Sequence, residues 1–105
     1  MGVDIELGRR VKIWRYSVSH SELVLMSTND SGEYATRWYA LLKPARFICL
    51  PSYFACDRIR SIQRGDATRF EFVCADATHY VDADVLFHAE DNEPYHAPIP
   101  FGVTQ

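Results

Sequence analysis

The sequence predicts a mainly β fold: a single small antiparallel domain of about six strands, built as a barrel, roll or sandwich. Apolar and polar residues alternate in several stretches, which is the period of a strand with one buried face. These stretches are rich in β-branched and aromatic residues, which favour strands. Turn-forming Asn, Asp, Gly and Pro separate them. At 105 residues the chain has the length of one domain, residues 1–105, that can bury a core of its own.

The first predicted elements are strands joined by short connections. Residues 10–19 and 21–28 both alternate, and either a tight turn or a bulge separates them. The stretch Asn29–Gly32 is the clearest turn, because Asn and Asp bond locally to the backbone and Gly accepts a positive φ. It predicts a hairpin with residues 34–43. That segment also fits a helix face, but we interpret it as a strand because the turn precedes it and Pro44 follows it.

The segment near residues 53–64 is the one place where the sequence predicts a short helix or an irregular crossover. Ile59 and Ile62 are three residues apart, arginines supply a polar side, and Gly65 is placed to end a helix. A strand over residues 58–63 is the alternative, and the pattern alone does not separate the two.

The remaining predicted elements are strands and a tail. A short apolar strand covers residues 46–50, and two alternating strands cover residues 68–75 and 78–88. The proline-rich residues 89–105 are expected to be an extended or flexible tail. The residues expected in the core are Ile13, Leu23, Leu25, Phe70, Phe72, Val81, Val85 and Phe87.

Charge is distributed very unevenly along the chain. Residues 1–69 contain eleven bases and seven acids, a balance of +4, whereas residues 70–105 contain seven acids and no base. Such an asymmetry indicates either two regions that attract each other within the fold or two surfaces for different partners. In an antiparallel sheet, cross-strand pairs of acid and base are expected to neutralise part of it.

Several classes of protein are disfavoured by what the sequence contains. The five glycines are isolated from one another, so no phosphate-binding loop is predicted. The three cysteines lack zinc-binding spacing and are interpreted as core residues, with Cys56 beside Asp57 a weak candidate for a catalytic thiol. No apolar stretch has the length of a membrane span, and the N-terminal residues do not resemble a secretion signal. We therefore expect a cytoplasmic protein with no membrane partner and no cofactor.

Acidic and histidine side chains are concentrated between Asp76 and Asp91 and could bind a cation. The candidates are Asp82, Asp84 and His88. On a regular strand, a rise of about 3.3 Å per residue separates Asp84 from His88 by roughly 13 Å, which is too far for one metal ion without a bulge. We therefore interpret these residues mainly as a solvated strand face.

His20 lies among serines, a setting that invites comparison with a nucleophile and its base. Neighbouring residues of a strand point to opposite faces, so Ser19 and His20 are expected to be poorly placed for an activating hydrogen bond. The alternative is that these serines satisfy backbone groups at a turn or bulge.

Arginine and aromatic residues are interleaved along the chain, and nine of the eleven bases are arginine. These residue types are enriched in protein interfaces. The candidate binding residues are Arg15, His20, Arg37, Trp38 and Tyr39. Arginines and aromatics on a sheet can also bind single-stranded nucleic acid, but a pI near 5.7 and an acidic C-terminal third disfavour it.

Together these features predict a non-catalytic protein-binding module that uses exposed Arg and aromatic side chains against another protein or a second copy of itself. The alternative is a small β-barrel enzyme or a ligand- or metal-binding protein with a polar site around Asp82, Asp84 and His88. A weaker alternative is a single-stranded nucleic-acid binder.

Overall fold

The computed structural model describes residues 2–99, and within them it is an all-β structure without a helix. The six strands are β1 (Asp4–Ser17), β2 (Glu22–Ser27), β3 (Arg37–Cys49), β4 (Tyr53–Arg64), β5 (Ala67–Val73) and β6 (Thr78–Asp91). They form one antiparallel sheet that closes into a ring in the order β1-β2-β3-β6-β5-β4. The predicted fold class is confirmed, and no helix capable of spanning a membrane is found in this part of the chain.

The ring is not evenly barrel-like, because its longest strands change partners along their length. β6 pairs with β5 only from Thr78 to Ala83, whereas its pairing with β3 extends from Tyr80 to Asp91. β1 pairs first with β4 and then, from Lys12 onward, with β2. Register shifts interrupt the pairing of β1 and β3, and such bulges let a long strand bend between partners.

The predicted hairpin around Asn29–Gly32 is confirmed, since β2 and β3 are adjacent and antiparallel. Gly32 has a φ of 81°, a value that glycine adopts without steric cost. β3 begins at Arg37 rather than at residue 34, and it runs through Pro44 into the segment predicted as a separate strand over 46–50.

The helix predicted near residues 53–64 is wrong, because this segment is strand β4. Phe54 and Cys56 are buried while their immediate neighbours are exposed, which is the alternation of a strand. The helix-like spacing has a different cause. Ile59 faces the core but Ile62 faces outward, and the three-residue step from Cys56 to Ile59 lies opposite a register shift in β1.

The core fills the inside of the ring and matches most of the residues expected there. Leu23, Leu25, Phe70, Phe72 and Val81 are buried, and Ile13 packs partly against them. Phe72 contacts Phe54 edge to face, with ring centroids 5.9 Å apart. The alternation predicted for β5 and for the start of β6 is therefore correct.

The core positions expected in the second half of β6 are wrong. Val85 and Phe87 are 39% and 47% exposed, respectively. Ala83 and Leu86 both contact the core, so successive inward residues are here three positions apart instead of two. The same three-residue spacing separates their partners on β3, Ala45 and Leu42. Two-residue alternation continued from Val81 beyond Ala83 therefore assigns Val85 and Phe87 to the core, although both face outward.

A second, smaller apolar cluster lies on the outer surface of β2 and β3. Val24 and Leu41 are buried there beneath Ile99. The tail predicted over residues 89–105 begins too early in the chain, because residues 89–91 belong to β6, and residues 92–99 form no strand but pack against the sheet. Residues 100–105 lie outside the described part of the chain.

Candidate functional site

Three of the residues predicted to bind a partner through exposed side chains are buried. Arg37 is 1% exposed, and Trp38 and Tyr39 are each 2% exposed. Their position on β3 explains this. Trp38 points into the ring, while Arg37 and Tyr39 are on the outer surface that residues 92–99 cover. The expectation of an exposed binding patch at these three positions is therefore wrong.

Arg37 is the centre of a polar cluster between β3, β6 and the C-terminal segment. Its Nε donates to Oδ1 of Asp91 at 2.7 Å, and its Nη2 donates to Oδ2 at 3.2 Å. The Tyr39 hydroxyl also donates to Asp91 Oδ2, at 3.0 Å. Hydrogen bonds from Arg37 hold the pKa of Asp91 below its usual value, whereas burial and the bond to Asp91 raise the pKa of Tyr39. Arg37 therefore links β3 to β6 and to the C-terminal segment, and its side chain is not exposed for a partner.

Trp38 belongs to the core cluster inside the ring, near the start of β3. Its indole Nε1 is buried without a hydrogen-bond partner among residues 2–99, and its ring is 6.1 Å from that of His88. A hollow of about 280 Å³ nearby is bounded by Arg9 and Glu90, which form an ion pair of 3.3 Å. Arg9 also donates to Ser27 and Thr36, so its guanidinium is held by side chains and backbone of the ring.

The other two predicted binding residues lie near the far end of β1. Arg15 is half-buried beside Val24, and it borders a small hollow beneath the C-terminal segment. His20 is exposed in the turn between β1 and β2, where its Nδ1 is 3.1 Å from the Oγ atoms of both Ser17 and Ser19. The expectation that Ser19 is poorly placed for a hydrogen bond to His20 is wrong, because both residues lie in a turn and not in a regular strand.

The two aspartates predicted as ligands of a cation, Asp82 and Asp84, each form an ion pair with a different arginine. Asp82 accepts two hydrogen bonds from Arg69, at 2.8 and 3.1 Å, and Asp84 pairs with Arg46. His88 lies beside Trp38 instead. Within residues 2–99, no three His, Cys, Asp or Glu side chains are grouped so that they could hold a metal ion.

The cysteines differ in environment. Cys56 is buried, and burial raises the pKa of its thiol to about 12. A thiol of this kind is protonated near neutral pH, which argues against the weak catalytic candidate, since the thiolate is the nucleophile. Cys74 packs partly against the core as expected, whereas Cys49 is exposed, so the expectation that it is a core residue is wrong.

The charge asymmetry of the sequence is largely neutralised within the fold. Eight ion pairs occur among the described residues, and five of them join a base from residues 1–69 to an acid from residues 70–105. The five are Arg9–Glu90, Arg37–Asp91, Arg46–Asp84, Arg60–Glu71 and Arg69–Asp82. The expected cross-strand pairing of acids and bases is confirmed, so the two regions attract each other within the fold.

These pairs predict a specific dependence of stability on pH. Hydrogen bonds from Arg69 hold the pKa of Asp82 below its usual value. A lowered folded-state pKa contributes stability that is fully present above the unfolded pKa, about 3.9, and is lost as pH falls through the folded value. Asp82→Asn should therefore show a smaller loss of unfolding free energy than the native chain between pH 5 and pH 2, measured by urea titration. Equal losses in the two proteins would contradict this assignment.

A surface that the sequence pattern did not predict lies on the outside of β3, β4, β5 and β6. We call it the aromatic–arginine face. Directly opposed residues form two rows across these four strands. The rows are Ile62, Arg69, Asp82 and Phe47, and Arg60, Glu71, Tyr80 and Cys49. Their alternation was visible in the sequence, but which strands are neighbours was not.

Phe47 is the most exposed aromatic residue of this face, at 54%. Its ring meets the Tyr80 ring edge to face, with centroids 5.6 Å apart. The guanidinium carbon of Arg69 lies 3.8 Å from the centroid of the Tyr80 ring, and Asp82 holds the same guanidinium from the side. Phe47 is thus exposed to solvent and packs against Tyr80, which Arg69 contacts in turn.

The face combines chemistry that suits molecular contact. Aromatic and arginine side chains provide a large contact area and lose little freedom when they are already held in place. Any assignment for this surface must come from its own side chains. No protein-family model, no curated protein and no solved structure matches this chain.

Proposed function

We propose that the protein is a non-catalytic interaction module that binds another protein, or a second copy of itself, through the aromatic–arginine face. The supporting observation is the exposed Phe47, which rests on Tyr80 and is followed across the sheet by Arg69. Contacts of this type dominate the binding energy of protein interfaces when an aromatic ring enters a pocket of the partner.

The charges of this face favour a protein partner over nucleic acid. Arg69 is paired with Asp82, and Arg60 is paired with Glu71 at 2.9 Å. A surface that binds nucleic acid gains most of its affinity from bases that neutralise phosphates. Arginines already neutralised by neighbouring acids contribute little in this way, whereas the exposed Ile62 and Phe47 at the ends of one row favour contact with apolar groups.

The same pairs weigh against a cation or catalytic site at Asp82 and Asp84. Each carboxylate would have to leave an arginine before it could bind a metal ion. Hydrogen bonds from these arginines also hold the pKa of both carboxyl groups below the usual value, so neither suits the role of a general acid near neutral pH.

A comparison of two phenylalanine variants tests the proposed surface. Phe47→Ser should weaken partner binding by about 30-fold or more, which corresponds to the roughly 2 kcal/mol typical of a central interface aromatic. Phe87→Ser is the matched control, because Phe87 is similarly exposed but lies opposite Leu41 on another part of β6. The experiment compares the proteins retained from a cell extract by immobilised native protein, by each variant and by an unrelated β protein. Self-association is measured by sedimentation.

The expected result is a specific partner, or a dimer, that is lost in Phe47→Ser and kept in Phe87→Ser. Retention of the same partners by native protein and Phe47→Ser would contradict the proposal, and so would a dimer that only Phe87→Ser disrupts. Circular dichroism of both variants establishes that the sheet is intact.

A further inference from the structure

The segment of residues 92–99 is held on the sheet by side chains rather than by strand pairing. After β6 ends at Asp91, this segment adds no strand to the ring. Arg37 donates from Nη1 to the carbonyl of Ala97 at 2.7 Å and from Nη2 to the carbonyl of Pro98 at 3.1 Å. Every polypeptide has backbone carbonyl groups. These two hydrogen bonds therefore require a particular backbone position but not the particular side chains of this segment.

Two apolar contacts complete the attachment of the segment. The ring of Tyr95 meets the edge of Trp14, with centroids 6.1 Å apart. Ile99 packs against the buried Val24 and Leu41 on the outer side of β2 and β3. Short proline-containing peptides commonly bind in grooves that offer aromatic and aliphatic contacts. In this groove, hydrogen-bond donors to the backbone carbonyl groups accompany one contact of each kind.

The chain's own segment leaves part of this groove unused. A hollow of about 180 Å³ remains beside Ala97, bounded by Trp14, Arg15 and Val24. Within the described residues, Arg15 has no ion pair or hydrogen bond through its side chain, although most other arginines are paired. The methyl group of Ala97 neither fills the space nor offers a charge to Arg15.

We propose that this groove is a second binding site, for a short proline-containing segment of a partner protein with an acidic side chain at the position of Ala97. Arg37 would donate hydrogen bonds to the partner's carbonyl groups as it now donates to those of residues 97 and 98, and Arg15 would pair with the acidic side chain. Residues 92–99 are then an internal competitor. The site lies on a different surface from Phe47 and does not depend on the function proposed above.

The test uses the full chain carrying Ile99→Asp, which weakens the hold of its own segment. Labelled peptides with the sequence of residues 92–101 are titrated by fluorescence anisotropy, one with Ala97→Glu and one with Ala97→Lys. We expect saturable binding, at least about tenfold tighter for the Glu peptide than for the Lys peptide. Adding Arg15→Gln to the protein should abolish this difference. The native chain should bind the Glu peptide more weakly, because its attached segment competes at a high effective concentration.

Equal affinities for the two peptides, or no saturation at millimolar peptide, would overturn the proposal. A dimer formed by exchange of the segments, which the Glu peptide does not dissociate, would overturn it as well. A measurement within the full chain covers the case in which Ile99→Asp does not fold. Ala97→Glu should then melt at a higher temperature than Ala97→Lys, and the difference should vanish with Arg15→Gln. Equal melting temperatures would exclude the pairing.

Discussion

Replacing Phe72 with alanine is expected to lower the free energy of unfolding by about 3 to 5 kcal/mol, the usual cost of removing a large aromatic side chain from a core. Phe72 is fully buried on β5, lies opposite His79 of β6 and Ile59 of β4, and contacts the ring of Phe54. Three strands therefore lose packing at once. The measurement is a urea unfolding curve at neutral pH.

Phe47→Ala is the matched control for this prediction. It removes the same side chain from a position that is 54% exposed, so much of the lost surface is already in contact with water. The loss should be about 1 kcal/mol or less, as for most surface substitutions. Equal losses in the two variants would show that the inward and outward faces of the sheet are assigned incorrectly.

Arg37→Met is expected to cost about 3 kcal/mol, the lower end of the range for breaking a buried ion pair. The variant leaves Asp91 with fewer donors and removes the donors to Ala97 and Pro98. The cost stays at the lower end because Asp91 is 28% exposed and keeps its hydrogen bond from Tyr39. Amide hydrogen exchange should show that the segment from residue 92 to residue 99 loses protection, while the strands keep theirs.

Arg46→Met provides the comparison for Arg37. Arg46 also pairs with an aspartate of β6, Asp84, but both side chains are about half exposed. Exposed pairs contribute about 0 to 1 kcal/mol, so this variant should unfold near the native midpoint. If Arg46→Met were as destabilising as Arg37→Met, burial would not be the reason for the role of Arg37.

Much of the strand pattern could be read from local sequence, because a strand with one buried face repeats every two residues. Phe70 and Phe72 on β5 were assigned to the correct face, and so was Val81 on β6. The hairpin turn was equally local, since its Asn, Asp and Gly are adjacent in the chain. Prediction failed where a strand changes its inward face, as it does between Ala83 and Leu86.

The candidate site was predicted less well than the fold. Interleaved arginine and aromatic residues led to the prediction of exposed binding residues at the start of β3, but Arg37 and Tyr39 are covered by residues more than fifty positions later in the chain. Local sequence contains no signal for that contact. The aromatic–arginine face was missed for a related reason. Phe47, Asp82 and Arg69 come from three strands whose order around the ring is a property of the whole sheet.

The β class, most strand positions, the turn at Asn29–Gly32 and the charge imbalance can be predicted from local sequence, because each depends on composition or on residues near one another in the chain. The adjacency of strands, the pairing of arginines with acids and the outer surface that the C-terminal segment covers became known from the folded chain. These depend on the order of strands around the ring and on bulges that bend them. Burial of an arginine such as Arg37 is favourable only when a distant aspartate and distant carbonyl groups are in place to accept its hydrogen bonds.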